Sequence, residues 1–328
     1  MKRKVNRVGT HTLTVSLPSK WAKQQGIKQG DEIEVNEENA NLVITPHQNK
    51  KAAKNFKIAI KDLFQLDPNF HAKKHMFKMD PSYIDAYLDG VYIYGFDSLE
   101  IDLPNIEALS YVQSYVKDHF LGYDLTKIEN LKCKIENISE IGDEKFDIML
   151  RQLFLMTKKL LEDFSLDMHN KSLSNLKFHE AQMNHVHHYS NYCLRIIANQ
   201  MQGPSSYALW SFIIRLLQLY RNFSSCYIGI KKFKPDLKFS KEVLKVLDYT
   251  IEMFNLIYLN FYNYKIEHIE KIHHIFYDLQ KPLFHDLLGN TQGGETYLWY
   301  MLGKAKIMLI YLTQFTIYMN LAEELKDA

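Results

Sequence analysis

The chain has 328 residues, of which 46% are hydrophobic and 24% are charged, and its formal net charge is +2 at pH 7. The composition is that of an ordinary globular protein, and the length predicts two or three domains. The small net charge excludes a chain that is basic throughout, so any affinity for a polyanion must come from a local cluster. The cysteines, Cys133, Cys193 and Cys226, form no CxxC pair. They therefore predict reduced thiols in a cytoplasmic protein.

Two apolar stretches are the candidates for membrane insertion, and neither predicts it. Residues 196–214 carry no charge, but Gly203 and Pro204 interrupt them. Residues 307–322 are too few to cross a bilayer comfortably, since a spanning helix needs about 20 residues. The N-terminus lacks the apolar core of a signal peptide. We therefore expect no membrane insertion.

The most informative segment is at the N-terminus. Leu13, Val15 and Leu17 alternate with threonine and serine, which is the period of a half-buried strand. Pro18 suits the first turn of a short helix, for which Ser16 could serve as the cap. A glycine at position 26 suits the left-handed residue that follows a helix.

A second hairpin is predicted directly afterwards. Residues 28–31 read as a tight turn, and Ile33 and Val35 face Leu42 and Ile44 across a polar connection. A unit this small cannot bury enough apolar surface alone. The missing burial must then come from a second copy of the chain.

Charge in this segment is segregated, because every charged residue from position 1 to position 27 is basic and the first acid is Asp31. A basic cluster of this kind fits the backbone of double-stranded DNA, and the alternative is a solubilising N-terminus. The basic residues are Lys2, Arg3, Lys4, Arg7, Lys20 and Lys23. Arg3 and Arg7, with Thr10, His11 and Thr12 of the following loop and strand, are the candidates for the surface that faces the DNA groove.

The run from Val8 to Trp21, continued by residues 26–31 and 42–46, closely resembles the SpoVT/AbrB family of swapped-hairpin DNA-binding domains. The resemblance implies that two chains interleave their strands into one β-barrel, which makes the protein an obligate homodimer. It also implies that the first strand and the loop after it contact DNA. We assign this head to residues 1–48.

Two segments connect the head to the rest of the chain. Residues 49–80 are rich in lysine and weakly patterned, which predicts a basic linker with some helix that could add phosphate contacts. Residues 81–140 predict a small α/β connector, with helices over 82–88 and 105–120, a strand over 98–102 and a final hairpin over 123–138. The pattern from Tyr83 to Gly90, with Gly122 to Leu125, resembles the connector of archaeal PhoU-like regulators.

The remainder, residues 141–328, predicts an all-α domain of about six long helices. Apolar residues recur at spacings of three and four, and the stretch repeats weakly: His187-His188 matches His273-His274, and Trp210 matches Trp299. Two tandem three-helix bundles, over about 141–235 and 236–328, resemble the PhoU family of phosphate-signalling proteins. The whole chain is thus expected to be a multidomain α+β protein with a dimeric barrel head, a small connector and a helical tail.

PhoU proteins commonly carry Glu-x-x-x-Asp pairs that hold metal clusters, and here the best counterpart ends in Asn184 instead of an acid. Too few carboxylates remain for that kind of cluster. Imidazole offers a substitute site for zinc or a similar transition metal. Its candidate ligands are Glu180, His187, His188, Glu270, His273 and His274. The alternative is that these histidines are ordinary residues of helix faces.

No catalytic motif accompanies these features. There is no G-x-S-x-G, no P-loop and no suggestive Cys/His pairing, so we expect no enzyme. The sequence predicts a DNA-binding transcriptional regulator, with a PhoU-like sensor or interaction tail, and the resemblance implies phosphate uptake or homeostasis as its process. The alternative is a PhoU-like adaptor that contacts a phosphate transporter or sensor kinase and uses its head only to dimerise.

Overall fold

The computed structural model describes residues 2–38, 41–46, 54–59, 83–139, 143–201, 203–233, 237–287 and 289–327. The chain divides into two compact units, Met1–Ala53 and Lys54–Ala328. We call the first the head and the second the body.

The described residues of the head form four short strands and one short helix. Strands β1 (Val5–Val8) and β2 (Thr12–Val15) form one antiparallel hairpin, and β3 (Ile33–Glu38) and β4 (Asn41–Pro46) form another. Both predicted hairpins are therefore present. Within the described part of one chain they remain two separate two-stranded sheets and do not close into a barrel. The described strands of one chain are too few to close one.

Helix α1 (Ser19–Gln24) lies between the two hairpins. Its N-cap is Pro18, and no side chain caps it. The expectation of a Ser16 cap is therefore wrong, because the helix begins at Ser19 and Ser16 lies two positions before the N-cap residue. Its end is as predicted, because Gly26 adopts a φ of 70°. The amide of Ile27 then donates to the carbonyl of Ala22, which satisfies a carbonyl at the helix end.

The body begins with a four-stranded sheet in the order β5-β6-β8-β7. The connector elements are β5 (Asn55–Ala59), α2 (Tyr83–Tyr94), β6 (Ser98–Asp102), α3 (Ile106–His119), β7 (Tyr123–Glu129) and β8 (Lys132–Asn137). Strands β5 and β6 are parallel, whereas β6, β8 and β7 pair antiparallel. One compact core between the sheet and the two helices includes Ile84, Tyr92, Phe96 and Val112.

The predicted connector elements are present, with two corrections: the first helix, predicted over 82–88, extends to Tyr94, and the sheet gains a strand at its start. The linker predicted over 49–80 contains β5, whose parallel pairing with β6 makes it part of the connector sheet. The sequence did not indicate this strand. Its partner lies more than forty positions away, and pairing at that distance leaves no local pattern. Residues 47–53 and 60–82 lie outside the described ranges.

In the described part of the chain, six helical segments longer than one turn follow, in line with the expected number of about six. They are α4 (Phe146–His169), α5 (Leu176–Gln200), α6 (Pro204–Ile230), α7 (Lys241–Tyr262), the segment of α8 (Ile266–His274) and α9 (Lys281–Asp286) joined by a π-helical stretch (Ile275–Gln280), and α10 (Gly294–Asp327). Lys171, with a φ of 53°, follows α4, and Gly203 precedes α6. Polar residues, glycine and proline in the sequence predict breaks near 170–172, 203–204 and 289–294, and these fall where the helices end; a fourth predicted break, at 234–236, lies outside the described residues.

The arrangement of these helices differs from two separate bundles. Helix α10 packs along α6 and α7, and α4 also contacts both α5 and α7. One continuous core includes Phe154, Phe164 and Tyr220 of the first predicted repeat and Phe254 and Leu309 of the second. The halves share a core because α10 lies between helices of both.

Two smaller expectations concern the thiols and the membrane. All three cysteines are buried and unpaired. None of the described helices is both long enough and apolar enough to pass through a membrane.

Candidate nucleic-acid interface

The hairpin of β1 and β2 has two different faces. Because Arg7 pairs with Leu13 and Val5 pairs with Val15, these four side chains share one face of the ribbon. Thr12 and Thr14 lie on the other face, where the hydroxyl of Thr14 donates to the carbonyl of Asn6. Arg7 therefore lies at the turn end of the apolar face.

The apolar face of this hairpin is open to solvent. Leu13 is 67% exposed and Val5 is 62% exposed, and on the second hairpin Leu42 is 62% exposed. No hydrophobic residue of the described part of the head is buried. An unburied alternating face of this kind requires another surface to cover it.

The predicted DNA-facing residues cluster around one hairpin and one helix. Thr10 and His11 form its turn after Gly9, which has a φ of 71°. Lys2, Arg3 and Lys4 precede β1. All of these residues, like Arg7 and Thr12, are exposed.

Lys20 and Lys23 extend the same cationic set. They are exposed, lie three positions apart on α1, and so project from one side of the helix. The second hairpin has the opposite character, because Glu34 and Glu37 of β3 are exposed. We call residues 2–24, which carry these cations before β1, on β1 and on α1, the basic half of the head, and the hairpin of β3 and β4, whose exposed acids lie on β3, the acidic half.

Comparison with known proteins gives a match for the head. A family model described as "Antidote-toxin recognition MazE, bacterial antitoxin" matches residues 7–52. The match supports a swapped-hairpin head of the AbrB/MazE-like class at the N-terminus, and a domain of this class fits a DNA-binding regulator. No curated protein and no solved structure matches the chain.

The six candidate metal ligands lie on α5 and α8, in different surroundings. Glu180, Glu270 and His273 are exposed. His274, also exposed, contacts Asp278 of its own helical segment, with 2.8 Å between Nδ1 and Oδ2. His188 approaches the carbonyl of Asp118 in the connector, at 3.2 Å.

His187 is buried against the connector. Its Nδ1 lies 3.8 Å from Oδ2 of Asp89 and has no hydrogen-bond partner, and its ring meets that of His119 edge to face. Burial, with smaller contributions from Arg221 and His119, lowers the pKa of His187 to about 3. The imidazole is therefore neutral near pH 7.

Among the described residues, no three side chains of the His, Cys, Asp and Glu types lie where they could jointly hold a metal ion. The structure thus does not bring the two histidine pairs together. The transition-metal site stays a prediction.

What sequence reasoning missed is a polar seam between α5 and the connector. Its residues on α5 are His187, Asn191, Arg195 and Asn199, which follow one another at intervals of four and so lie on one side of the helix. That spacing was the signal available in the sequence. We use the name polar seam for these four residues and their connector partners.

Each turn of the seam has a defined contact. Asn191 donates to Asp89, whose other partner is the hydroxyl of Tyr115. Burial raises the pKa of Asp89, although both hydrogen bonds oppose the shift. Arg195 donates to the carbonyl of Tyr92 at 2.7 Å, and its guanidinium lies over the rings of Tyr92 and Tyr123.

The last turn of the seam reaches the start of the body. The amide of Asn199 donates to the carbonyl of Ile93 and its oxygen accepts from Nζ of Lys54. The backbone amide of Lys54 in turn donates to Asp97. Lys54 immediately precedes β5, so the point where the chain enters the body is fixed to α5.

Proposed function

We propose that the chain is a DNA-binding transcriptional regulator whose head binds duplex DNA as a homodimer. The observation that carries this proposal is the basic half of the head, where exposed cations surround a hairpin whose apolar face is uncovered. A second copy would cover that face and double the cations at the same time. Lysine and arginine contacts to phosphates supply most non-specific DNA affinity, and the exposed turn at Thr10 and His11 could reach base edges.

The polar seam supports a role for the body in regulation. Lys54, immediately before β5, donates a hydrogen bond to Asn199 of the helical tail. A shift of α5 would therefore displace the point at which the chain enters the body. A ligand or partner bound by the tail would change DNA binding to the extent that it favours one position of that helix. We propose that the tail is a PhoU-like sensor or interaction domain and that the process is phosphate uptake or homeostasis.

A second candidate has one observation in its favour. Arg7 shares its face with Val5, Leu13 and Val15, which suits a surface buried between subunits more than one turned to DNA. Under this alternative the head serves only for dimerisation. The chain then acts as an adaptor through contact with a phosphate transporter or kinase component.

The test of the proposal is the salt dependence of DNA affinity, measured by fluorescence anisotropy with a labelled duplex. Replacing Arg3 and Arg7 with alanine removes four cations per dimer. Each lost phosphate contact lowers the slope of log affinity against log salt by about 0.9. We expect an affinity loss of roughly tenfold or more at moderate salt with unchanged thermal stability of the body.

The matched control replaces Lys177 and Lys241, two exposed lysines of the body, with alanine. This variant changes the net charge equally and should keep the DNA affinity. If wild-type protein binds no duplex in low salt, the adaptor becomes the better account. If binding persists but both double variants behave alike, the first strand is not part of the interface.

A further inference from the structure

The longest helix of the described chain, α10, is apolar on the side that faces solvent as well as on the side that faces the core. Leu298, Leu302, Leu309 and Leu312 are buried in the body core. The opposite side still carries large apolar residues that are 41–59% exposed. They are Tyr300, Ile307, Tyr311, Tyr318 and, at 47%, Leu321. A helix that is apolar all round is normally covered on every side.

Seven exposed residues of α10 follow a coiled-coil spacing, whereas the exposed Thr296 and Glu324 lie outside it. Positions 300, 304, 307, 311, 314, 318 and 321 are separated alternately by four and three residues, and all are exposed. This alternation keeps a seam on one side of two helices that wind around each other. We call this set the terminal stripe; besides the apolar residues it contains Lys304 and Gln314.

The terminal stripe is self-complementary about Gln314. Lys304 lies ten positions before Gln314 and Glu324 lies ten positions after it. Ile307 and Leu321 are seven positions away on either side. A second copy running antiparallel would therefore place Lys304 at the level of the partner subunit's Glu324, and Ile307 at the level of the partner subunit's Leu321.

The polar residues of the stripe fit the same arrangement. Gln314 would meet Gln314 of the partner subunit at the dyad, where each amide can both donate and accept. Tyr311 and Tyr318, three and four positions from the dyad, would pack across it. Parallel pairing would instead oppose Lys304 to Lys304 and Glu324 to Glu324, which is repulsive at both ends.

We propose that the terminal stripe is a second self-association surface, on which α10 of another copy packs antiparallel. This surface belongs to the body and does not depend on what the head binds. Combined with a dimeric head, it either joins the same two chains at both ends or links dimers into larger assemblies.

The first experiment measures the mass of full-length chains by sedimentation equilibrium after the head has been disabled. Leu13→Asp with Val15→Asp places charges on the apolar face of the head hairpin. This chain should still dimerise at high micromolar concentration. Adding Ile307→Asp and Tyr318→Asp should make it monomeric without lowering its thermal stability, since both residues are more than half exposed.

The matched control adds Ile148→Asp and Leu259→Asp instead, which are exposed residues of α4 and α7. This chain should remain dimeric. A head-disabled chain that is already monomeric would overturn the proposal. A partner of another kind would then have to cover the stripe. Equal dimerisation with and without the stripe substitutions would overturn it as well.

A disulfide cross-link tests the antiparallel geometry. Gln314→Cys should cross-link to itself on mild oxidation, because the two residues meet at the dyad. Tyr300→Cys should not, since a rise of 1.5 Å per residue separates the two copies by about 42 Å. The native cysteines interfere little, because burial raises the pKa of Cys133 to about 11 and also raises that of Cys193 and Cys226. Cross-linking at both positions would indicate a parallel pair and contradict the proposal.

Charge reversal gives an independent check. Lys304→Glu or Glu324→Lys alone should weaken association of the head-disabled chain by roughly tenfold, because attraction at both ends becomes repulsion. The two changes together should restore it. Absence of rescue would show that these residues do not face each other.

Discussion

The head and the body bury their apolar residues differently. In the body, the connector and the helices each have a well-buried core, and side chains as large as Tyr92 and Phe164 are fully covered. In the described part of the head, side chains of the same chemical type, such as Leu13 and Val35, remain more than half exposed. Alternation along a strand shows which face is apolar, but a core exists only where a second surface meets that face. The body supplies its own second surface, and in our proposal a second copy of the chain supplies one to the head.

The largest effect is expected where this contrast is strongest. Leu13→Asp with Val15→Asp should reduce DNA affinity more than a hundredfold, because charges would be buried where the head pairs. Unfolding of the body should change by less than about 0.5 kcal/mol. Anisotropy and denaturant unfolding measure the two effects. The control is Ile148→Asp, which changes an apolar residue of the body with similar exposure. It should leave the DNA affinity and the unfolding of the body unchanged. Wild-type DNA binding by the double variant would show that the apolar face of the head needs no cover.

Within the body, the polar seam should be the most sensitive place. Arg195→Ala removes a charge-assisted hydrogen bond and two cation–π contacts, and should lower the free energy of unfolding by about 3 kcal/mol. Arg215→Ala is the matched control, because that guanidinium contacts Gln218 of its own helix and one ring, and should cost less than about 1 kcal/mol. Urea unfolding measures both. Equal losses would mean that the seam contributes no more than an ordinary surface arginine.

The close approach of α5 to the connector predicts a smaller loss. Gly95 has a φ of 84°, and a Cβ there would lie 2.6 Å from Oδ1 of Asn199. Gly95→Ala should cost about 2 kcal/mol or more, from left-handed strain and displacement of Asn199. Gly289, with a φ of 83° and no atom within 4 Å of an added Cβ, is the control, and Gly289→Ala should cost about 1 kcal/mol from strain alone. Equal losses of stability in the two variants would show that the contact between the added Cβ and Asn199 costs nothing.

The smallest effect concerns pH. Because burial depresses the pKa of His187, the unfolded chain takes up a proton that the folded chain does not, and stability falls as pH drops below about 6.5. Between pH 6.5 and 5.5 the loss is about 1 kcal/mol for one such group. His187→Gln should flatten the pH dependence of unfolding relative to the wild type. The raised pKa of Asp89 acts in the opposite direction. Asp89 is present in both chains, so the difference between them reports His187; identical pH profiles would show that the pKa of His187 is not depressed.

What the sequence could predict depended on how far apart the interacting residues are. The hairpins, the left-handed Gly26 and the helix ends near positions 170, 203 and 293 follow from patterns within a few residues. Strand β5 and the partnership of Asp89 with Asn191 join residues about forty and one hundred positions apart, and no local period records them. The same limit applies to the shared core of the helices, since repeated segments do not reveal whether their helices pack within or between repeats.

Part of the candidate interface was also open to prediction. The basic residues and their segregation from the acids are visible in the sequence, and the structure groups them on β1, β2 and α1. The position of Arg7 among apolar side chains depends on the strand register, which the sequence alone left open. His187 was selected as a metal ligand because of its neighbour in sequence. In the fold its neighbours are Asp89 and His119 of the connector.

Hydrogen exchange of the full-length chain with and without duplex DNA tests the central claim most directly. If the basic half of the head binds DNA, amides of residues 9–12 and of Ser19–Gln24 should gain protection at low salt and lose it at high salt, because phosphate contacts are screened. The acidic half, Ile33–Glu38, and the connector strand Ser98–Asp102 should gain less. Protection that is absent from the head, or equal in its basic and acidic halves, would contradict the account.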